Sequence, residues 1–452
     1  MRQKIKKIHF IGIGGIGVSA IAKMMDRQGK KITGSDAGNS EIIQDLKKGG
    51  IKIFLGHQEK NLADDIDLVV YSSAIPRNNP ERKKAKKLKI KQLSYVEILA
   101  EISKEKFTLA VSGTHGKSTT TALLGLFLEK AGFNPLVIVG SKLKAFKDGN
   151  LQFGKGKFFV IEACEYQENM LKLQPKAIIL TNLEKDHLDY YKNLKHLVKS
   201  FQKYINKLPK DGLLILNSDD KNLKKLKLPD CKIIKFGIEN KADLKIVNRI
   251  VKEEKQIFNL IYKNKNLSRF ELKVPGLFNL YNFLGACACA LEFGVKPEAI
   301  KKSLSDFNGI WRRFEKVGEK NGAIFISDYA HHPTAVKKTI QAAKEFYPKR
   351  RIVAVFQPHL ASRTKDLFKE FIEAFDLADI IILSEIYRPA GREENLKISS
   401  KDLIMKIKKR GKKILYAADL KEIKKLISEN IKKNDLVLIM GAGDIYKLKI
   451  KN

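Results

Sequence analysis

A short apolar run, Lys106-Phe-Thr-Leu-Ala-Val111, leads into Ser112-Gly113-Thr114-His115-Gly116-Lys117-Ser118, and a helical pattern follows from Thr119 to Ala131. Strand, glycine-flanked turn and helix in direct succession place this stretch in an α/β layer, with the turn where a helix N-terminus meets phosphate. A turn that closes on Lys-Ser is suited to a nucleoside triphosphate. Lys117 is expected to reach the β and γ phosphates and Ser118 to ligate Mg²⁺ through its hydroxyl. The backbone amides of Gly113, Thr114, His115, Gly116 and Thr119 would cradle oxygens. Val111 stands where the full G-x-x-x-x-G-K-[ST] pattern has its first glycine, so this is a shortened variant. The chemistry it predicts is driven by ATP.

The chain has 452 residues, 44% of them apolar, which is more than one hydrophobic core usually serves and predicts two or three domains. No apolar run approaches a membrane span, and the first residues lead straight into a strand rather than a signal-peptide core, which predicts a cytoplasmic protein without a membrane partner. Cys164, Cys231, Cys287 and Cys289 lack CxxC spacing, so neither a zinc site nor a disulfide framework is expected. A formal net charge of +37 raises nucleic-acid binding as a possibility. The excess is lysine spread along every predicted helix, without the aromatic interleaving of a single-strand groove, and a solvated surface is the reading adopted.

Three α/β blocks can be read, each alternating strands with helices as parallel sheets require. The first, residues 1–105, opens on a strand and Gly12-Ile-Gly14-Gly15-Ile16-Gly17, followed by a helix over 18–28 and a second strand ending at Asp36. Alone, this fingerprint predicts NAD. Ser72 and Ser73 leave the strand at Asp67–Tyr71, on the edge where such sheets bind ligands. The second block, residues 106–318, carries the phosphate loop and strands ending at Glu162 and at Thr181-Asn182. A β-rich insertion near 240–275 and a helix bearing Asn279 and Asn282 on one face follow. The third block, residues 319–452, contains Asp328-Tyr-Ala-His331-His332-Pro333, Gln357-Pro-His359 and Ser362-Arg363-Thr364.

Taken together, the motifs resemble the Mur ligases over essentially the whole chain. The residues that carry the resemblance are His9 to Gly17, Ser72 to Ile75, Asn79-Pro-Glu81, Gly113 to Ser118, Glu162 to Glu165, Thr181-Asn182, Asp186-His187-Leu-Asp189, Trp311 to Glu315, Asp328 to Pro333, Gln357 to His359 and Ser362 to Thr364. The resemblance implies three domains: a Rossmann-like domain for a UDP-sugar, a central ATPase domain and a C-terminal Rossmann-like domain for an amino acid. It implies an ATP- and Mg²⁺-dependent ligase that joins L-alanine to UDP-N-acetylmuramate, as a monomer or weak homodimer. The glycine-rich turn from Gly12 to Gly17, with Asp36, Ser72 and Ser73, would then hold a UDP-sugar and no nicotinamide.

Carried over residue by residue, the resemblance makes Lys117, Glu162, His187, His331 and Arg363 the catalytic group, with Ser118, Glu162 and His187 on metal. Asn279, Asn282, Arg312 and Asp328 fall on the ATP side, and Glu165, His331 and Arg363 near the acceptor. Several readings stay open on the residues alone. His187 is either a metal ligand or a structural hydrogen-bonding group, Glu165 a substrate contact or a solvated loop residue, and either His331 or His332 the functional imidazole. The sequence departs from the family's pattern at Ser118, which stands for a more usual Thr, and at Cys164, Phe278 and Leu360, where a polar residue is common.

Overall fold

The computed structural model describes residues 5–187, 190–388, 394 and 396–448. Two compact units form. One takes residues up to Glu184, Leu197–Leu244 and Asn282–Ser303; the other takes Lys185–His196, Lys245–Tyr281 and the chain from Leu304 onward.

Within the first unit, β1 (Lys7–Ile11), β2 (Lys31–Asp36), β3 (Lys52–Leu55), β4 (Leu68–Tyr71) and β5 (Lys91–Ser94) make a five-stranded sheet in the order β3-β2-β1-β4-β5. All its pairings are parallel. Ile8, Phe10, Leu68, Val69 and Val70 are buried together, as expected of strands covered on both faces. The strand order reverses between β1 and β4, and such a switch point opens a crevice at the strands' carboxyl ends. Gly12 leaves β1 and Ser72 leaves β4 there.

The same unit holds β6 (Phe107–Ser112), β7 (Leu136–Ile138), β8 (Leu151–Phe153), β9 (Phe158–Glu162), β10 (Ala177–Leu180), β11 (Leu213–Asn217) and β12 (Lys232–Gly237). They run side by side as β12-β11-β10-β6-β9-β7-β8. Pairing is parallel except in the hairpin of β7 and β8, where Ile138 faces Leu151. The helix Lys117–Lys130 rises from β6, buried on nearly every side.

In the second unit, β13 (Leu244–Lys252), β14 (Lys255–Tyr262) and β15 (Lys265–Leu272) realise the expected β-rich insertion, with β14 and β15 antiparallel. A six-stranded sheet follows, from β16 (Glu315–Lys320), β17 (Ala323–Asp328), β18 (Arg351–Phe356), β19 (Ile380–Ser384), β20 (Ile414–Ala417) and β21 (Asp435–Met440), ordered β16-β17-β21-β18-β19-β20. Only β16 runs antiparallel to its neighbour. Alternate residues of one strand feed two cores: Ile352, Ala354 and Phe356 on one face, Val353 and Val355 on the other. No helix among the described residues is long and apolar enough to cross a membrane.

Candidate active site

The phosphate turn between β6 and the helix Lys117–Lys130 can only be made with glycine at two places. Gly113 has φ +133° and Gly116 φ +86°; a Cβ on Gly113 would lie 2.2 Å from Thr181 Oγ1, and one on Gly116 would lie 2.0 Å from Asn282 Oδ1. The exit of β10 holds the turn in shape. Asn182 Oδ1 accepts from the His115 amide at 2.9 Å, Thr181 Oγ1 donates to the His115 carbonyl at 2.6 Å, and the Thr114 amide donates to the Asn182 carbonyl at 3.0 Å. His115 Nε2 also meets Glu184 Oε2 at 3.0 Å. No side chain caps the helix at Gly116, so its first amides face outward as an anion site.

Lys117 and Ser118 each face a carboxylate. Lys117 Nζ donates to Glu165 Oε1 at 3.0 Å and to the carbonyls of Gly113 and Thr114 at 2.6 and 3.1 Å. Burial pulls the Lys117 ammonium downward in pKa, but the Glu165 carboxylate outweighs it and the net shift is upward. Ser118 Oγ donates to Glu162 Oε2 at 3.0 Å, and the other oxygen of Glu162 accepts from the Gly140 amide. A hydroxyl and a carboxylate side by side are an all-oxygen donor set, which suits a hard divalent cation such as Mg²⁺. Cys164 is exposed beside this group, and Glu165 is buried.

At the first sheet's switch point, Gly12 (φ +76°) turns the chain, and the amides of Gly12 and Ile13 donate to the Ser35 carbonyl at 2.8 and 3.1 Å. The helix Ile16–Arg27 begins at Gly15 without a side-chain cap. Asp36, read from sequence as the acidic residue of a dinucleotide fingerprint, instead accepts from the Gly14 amide at 2.8 Å and so fixes the turn itself. Gly17 lets Tyr95 approach, since a Cβ there would lie 2.5 Å from the phenol oxygen. Ser94 and Glu97 form a capping box that starts the helix carrying Tyr95. Ser72 and Ser73 are partly buried and exposed-edge positions at the end of β4, as their place in the sequence predicts.

The second unit gathers a different set. Arg363, on the short helix Ala361–Asp366, donates through Nη2 to Asp186 Oδ1 at 3.2 Å and through Nη1 to the His359 carbonyl at 3.2 Å. Its Nε is buried with no partner among the described residues. Burial opposes charge on Asp186, yet Arg363 beside it holds the carboxyl well below the usual carboxylate range. His331 lies edge-on to Tyr329 at 5.2 Å and near His359 at 6.1 Å between ring centres. Burial, then Arg363, push its pKa well below the usual imidazole value against the opposing pull of Asp186. His331 Nδ1 lies 3.0 Å from the Tyr329 carbonyl, which can only accept, so Nδ1 carries the hydrogen and Nε2 presents a lone pair.

His332 has other work. Its Nδ1 accepts from the Thr334 amide at 3.3 Å, capping the helix Pro333–Phe346, and its Nε2 donates to the Lys185 carbonyl at 3.2 Å. His332 is thus tied to the start of its own helix and to Lys185. His187 has φ +52° and follows Asp186, whose Oδ1 accepts the His187 amide; Leu188 and Asp189 lie outside the described residues. Asp328 accepts from the amides of Phe314 and Ala330, both at 2.7 Å, and burial raises its pKa against the opposing effect of Arg313. Arg312 donates to the Gly441 carbonyl at 2.5 Å and stacks on Tyr446 at 4.3 Å and Tyr329 at 4.8 Å. Asn279 donates to the Pro275 carbonyl at 2.7 Å, while Asn282 packs against Gly116, so the two asparagines of one helix serve different surroundings. Phe278 packs partly buried against the core of the six-stranded sheet, and Leu360 is buried at φ +72° with its amide donating to Tyr387 at 3.1 Å.

In the sequence, Thr181 and Asn182 stand as a motif without a task, and Asn150 stands in no motif. Two glycines with nothing to hold them in place were the available signal that an amide-rich strand end would be needed nearby.

Three family models cover most of the chain: "Mur ligase family, catalytic domain" over residues 7–107, "Mur ligase middle domain" over 111–290 and "Mur ligase, glutamate ligase domain" over 312–443. Among curated proteins, the UDP-N-acetylmuramate--L-alanine ligase of Caldanaerobacter subterraneus subsp. tengcongensis is 43% identical over 451 residues, spanning 99% of this chain and 97% of that one. Among solved structures, the UDP-N-acetylmuramate-alanine ligase MurC of Thermotoga maritima superposes with a TM-score of 0.84 at 30% identity, covering 98% of this chain and 97% of its own. The murein peptide ligase of Psychrobacter arcticus follows with a TM-score of 0.74 at 25% identity, over 98% and 97% of the two chains.

Proposed function

The chain belongs to the Mur ligase family, and on that premise we propose that it joins L-alanine to the lactyl carboxylate of UDP-N-acetylmuramate, with ATP converted to ADP and phosphate, in the making of peptidoglycan precursor. The observation that carries the catalytic half is the uncapped start of the helix Lys117–Lys130, with Lys117 and Ser118 each faced by a carboxylate. Identity at 43% along the full length to an alanine-adding relative supports the choice of acceptor.

In this reading a carboxylate oxygen of the sugar attacks the γ phosphorus of ATP, the bond to the β-phosphate oxygen breaks, and ADP leaves. The amine of L-alanine then attacks the acyl carbon, phosphate leaves with the electrons of the carbon–oxygen bond, and the amine gives up a proton. Lys117 and the amides of Gly113 to Thr119 screen the phosphate charge. Mg²⁺ would supply further charge neutralisation, held by Ser118 and Glu162, with His187 assigned to a second cation. Glu165 keeps Lys117 charged and aimed. The turn from Gly12 to Gly17, braced by Asp36 and open toward Ser72 and Ser73, takes the UDP-sugar. Arg363 receives an oxyanion, which would satisfy its buried Nε, and Nε2 of neutral His331 accepts a proton from the incoming ammonium. Arg312, Asp328, Asn279 and Asn282 shape the surroundings of ATP. The same reading puts the reaction in the cytoplasm, by a monomer or weak homodimer.

Phosphate release tests it. Release should depend on both UDP-N-acetylmuramate and L-alanine, and should not be replaced by L-Ala-γ-D-Glu-meso-diaminopimelate. Turnover supported by the tripeptide alone would move the protein to the peptide-ligase branch, and release indifferent to both acceptors would overturn the assignment.

A further inference from the structure

The hairpin of β7 and β8 contributes no residue to the reaction described above, yet its loop touches both anion-binding turns of the first unit. At one end, Gly140 donates its amide to Glu162, the carboxylate that also holds Ser118. A Cβ on Gly140 would lie 2.9 Å from Glu162 Oε1, so the carboxylate sits hard against the Gly140 backbone. One residue earlier, the Val139 amide donates to the Asn150 carbonyl at 3.0 Å, which ties the two ends of the loop together.

At the other end, Asn150 is 1% exposed and reaches back 134 residues. Its Nδ2 donates to the Ile16 carbonyl at 2.5 Å and to Ser19 Oγ at 2.9 Å, in the first turn of the helix that starts at the glycine-rich turn. The Ser19 amide donates to the Gly15 carbonyl at 2.8 Å, within that turn. Lys23 Nζ completes the set, donating to Asn150 Oδ1 at 3.0 Å and to the Asp148 carbonyl at 2.7 Å. A continuous path therefore runs Ser118, Glu162, Gly140, Val139, Asn150, Ile16, through hydrogen bonds and the Val139–Gly140 peptide link. Ion pairs of Lys142 with Glu41 and Asp45 dock the same loop by a separate route.

We propose that Asn150 is a positioning residue that couples the two nucleotide-binding turns, so that Mg²⁺–nucleotide at Ser118 and Glu162 tightens binding of the UDP moiety at Gly12 to Gly17. This rests on the functional reading above. The physical basis is shared ordering: a cation drawing on Glu162 fixes the loop through Gly140, and the second ligand then finds Ile16 and Gly15 already held. By linkage the effect is reciprocal, UDP tightening ADP by the same factor.

Calorimetric titration of UDP, with and without saturating ADP and Mg²⁺, tests it. In the unaltered protein the Kd for UDP should fall by at least about fivefold when ADP and Mg²⁺ are present. Asn150→Ala should bind each nucleotide alone and bring that ratio to about one, while Lys142→Met, which cuts the parallel ion pairs, should keep it. If Asn150→Ala does not fold, Asn150→Asp, which keeps the acceptor for Lys23 and removes the donor to Ile16, is read the same way. Hydrogen exchange adds a readout independent of affinity: ADP with Mg²⁺ should slow the amides of residues 15–19 in the unaltered protein and not in the variant. A ratio of one in the unaltered protein, or an undiminished ratio in Asn150→Ala, overturns the coupling while leaving the two binding sites intact. Absence of binding by either nucleotide alone would instead overturn the functional reading itself.

Discussion

Arg363 and Asp186 stand 177 residues apart in the chain and 3.2 Å apart in the fold, each 9% exposed. A buried pair of this kind adds little over an apolar pair of the same shape, but breaking it strands a charge, at a cost of about 3–5 kcal/mol. Asp186→Asn should lower the unfolding free energy by that order in urea melts near neutral pH. The sign with pH follows from a carboxyl held below its ordinary value. Its contribution is present above the unfolded value of about 3.9 and is lost as pH falls below that. The gap between the unaltered protein and Asp186→Asn should therefore narrow from pH 6 to pH 3; a constant gap contradicts the pairing.

Glu165 beside Lys117 favours the charged ammonium. With the ammonium raised in pKa chiefly by Glu165 against burial, Glu165→Gln removes the leading opposition to burial. ADP affinity, followed by calorimetry between pH 8 and 11, should then begin to fail at lower pH than in the unaltered protein. Lys117→Met should lose about 10²–10³ in kcat/KM for ATP, the usual loss when one preorganised donor to a developing oxyanion is removed. An unchanged alkaline limb in Glu165→Gln would mean the contact does not set the charge of Lys117.

Gly116 separates the two nucleotide sites experimentally. Alanine at φ +86° costs about 1–2 kcal/mol in backbone strain alone. Its Cβ would also have to displace Asn282 Oδ1, which lies 2.0 Å away. Gly116→Ala should weaken ADP by roughly 5- to 30-fold or more, while UDP measured alone is unaffected. Equal weakening of both would point to general damage to the unit.

Much of this was legible locally. The runs Phe107–Ser112, Ala177–Leu180 and Asp435–Met440 announce themselves as buried strands because each is built on at least three consecutive apolar residues, and their order with the intervening helices implies parallel sheets. The glycines at 113 and 116 announce a strained turn. What braces them is not local: Asn182 and Thr181 come from another strand, and Asn150 is a polar residue in an unpatterned loop whose partner lies near the chain's start. Asp36 shows the same gap: its spacing marks the glycine-rich turn, while the fold adds that one of its oxygens accepts the Gly14 amide. Periodicity encodes burial and says little about which carbonyl a side chain finds.

His331 should be neutral throughout the working range. Its pKa is pushed well below the ordinary 6.5 by burial and Arg363. The stability it contributes is present above the unfolded value of about 6.5 and lost as pH falls through the folded one. Imidazole resonances followed by NMR should show His331 titrating well below 6.5, and lower still in Asp186→Asn, where the opposing carboxylate is gone. His331→Gln should be less sensitive to acid unfolding below pH 6.5. Titration of His331 at or above 6.5 would contradict the downward pull of burial and Arg363.

Glu81 tests whether the UDP turn is held from behind. It is fully buried, and its carboxylate accepts from Ser35 Oγ at 2.6 Å, His9 Nε2 at 3.1 Å and Asn61 Nδ2 at 2.9 Å. Ser35 in turn offers its carbonyl to the amides of Gly12 and Ile13. Burial would push Glu81 up in pKa, but His9, Ser35 and Asn61 outweigh it and the net shift is downward. Glu81→Gln sets an amide NH₂ against groups that need an acceptor, at a cost of about 1–3 kcal/mol. Because the disturbance reaches the nucleotide through the bracing of the glycine-rich turn, KM for the UDP-sugar should rise several-fold while kcat at saturation and the Kd for ADP stay as they are. Equal losses in ADP binding would show that Glu81 supports the whole unit rather than the turn.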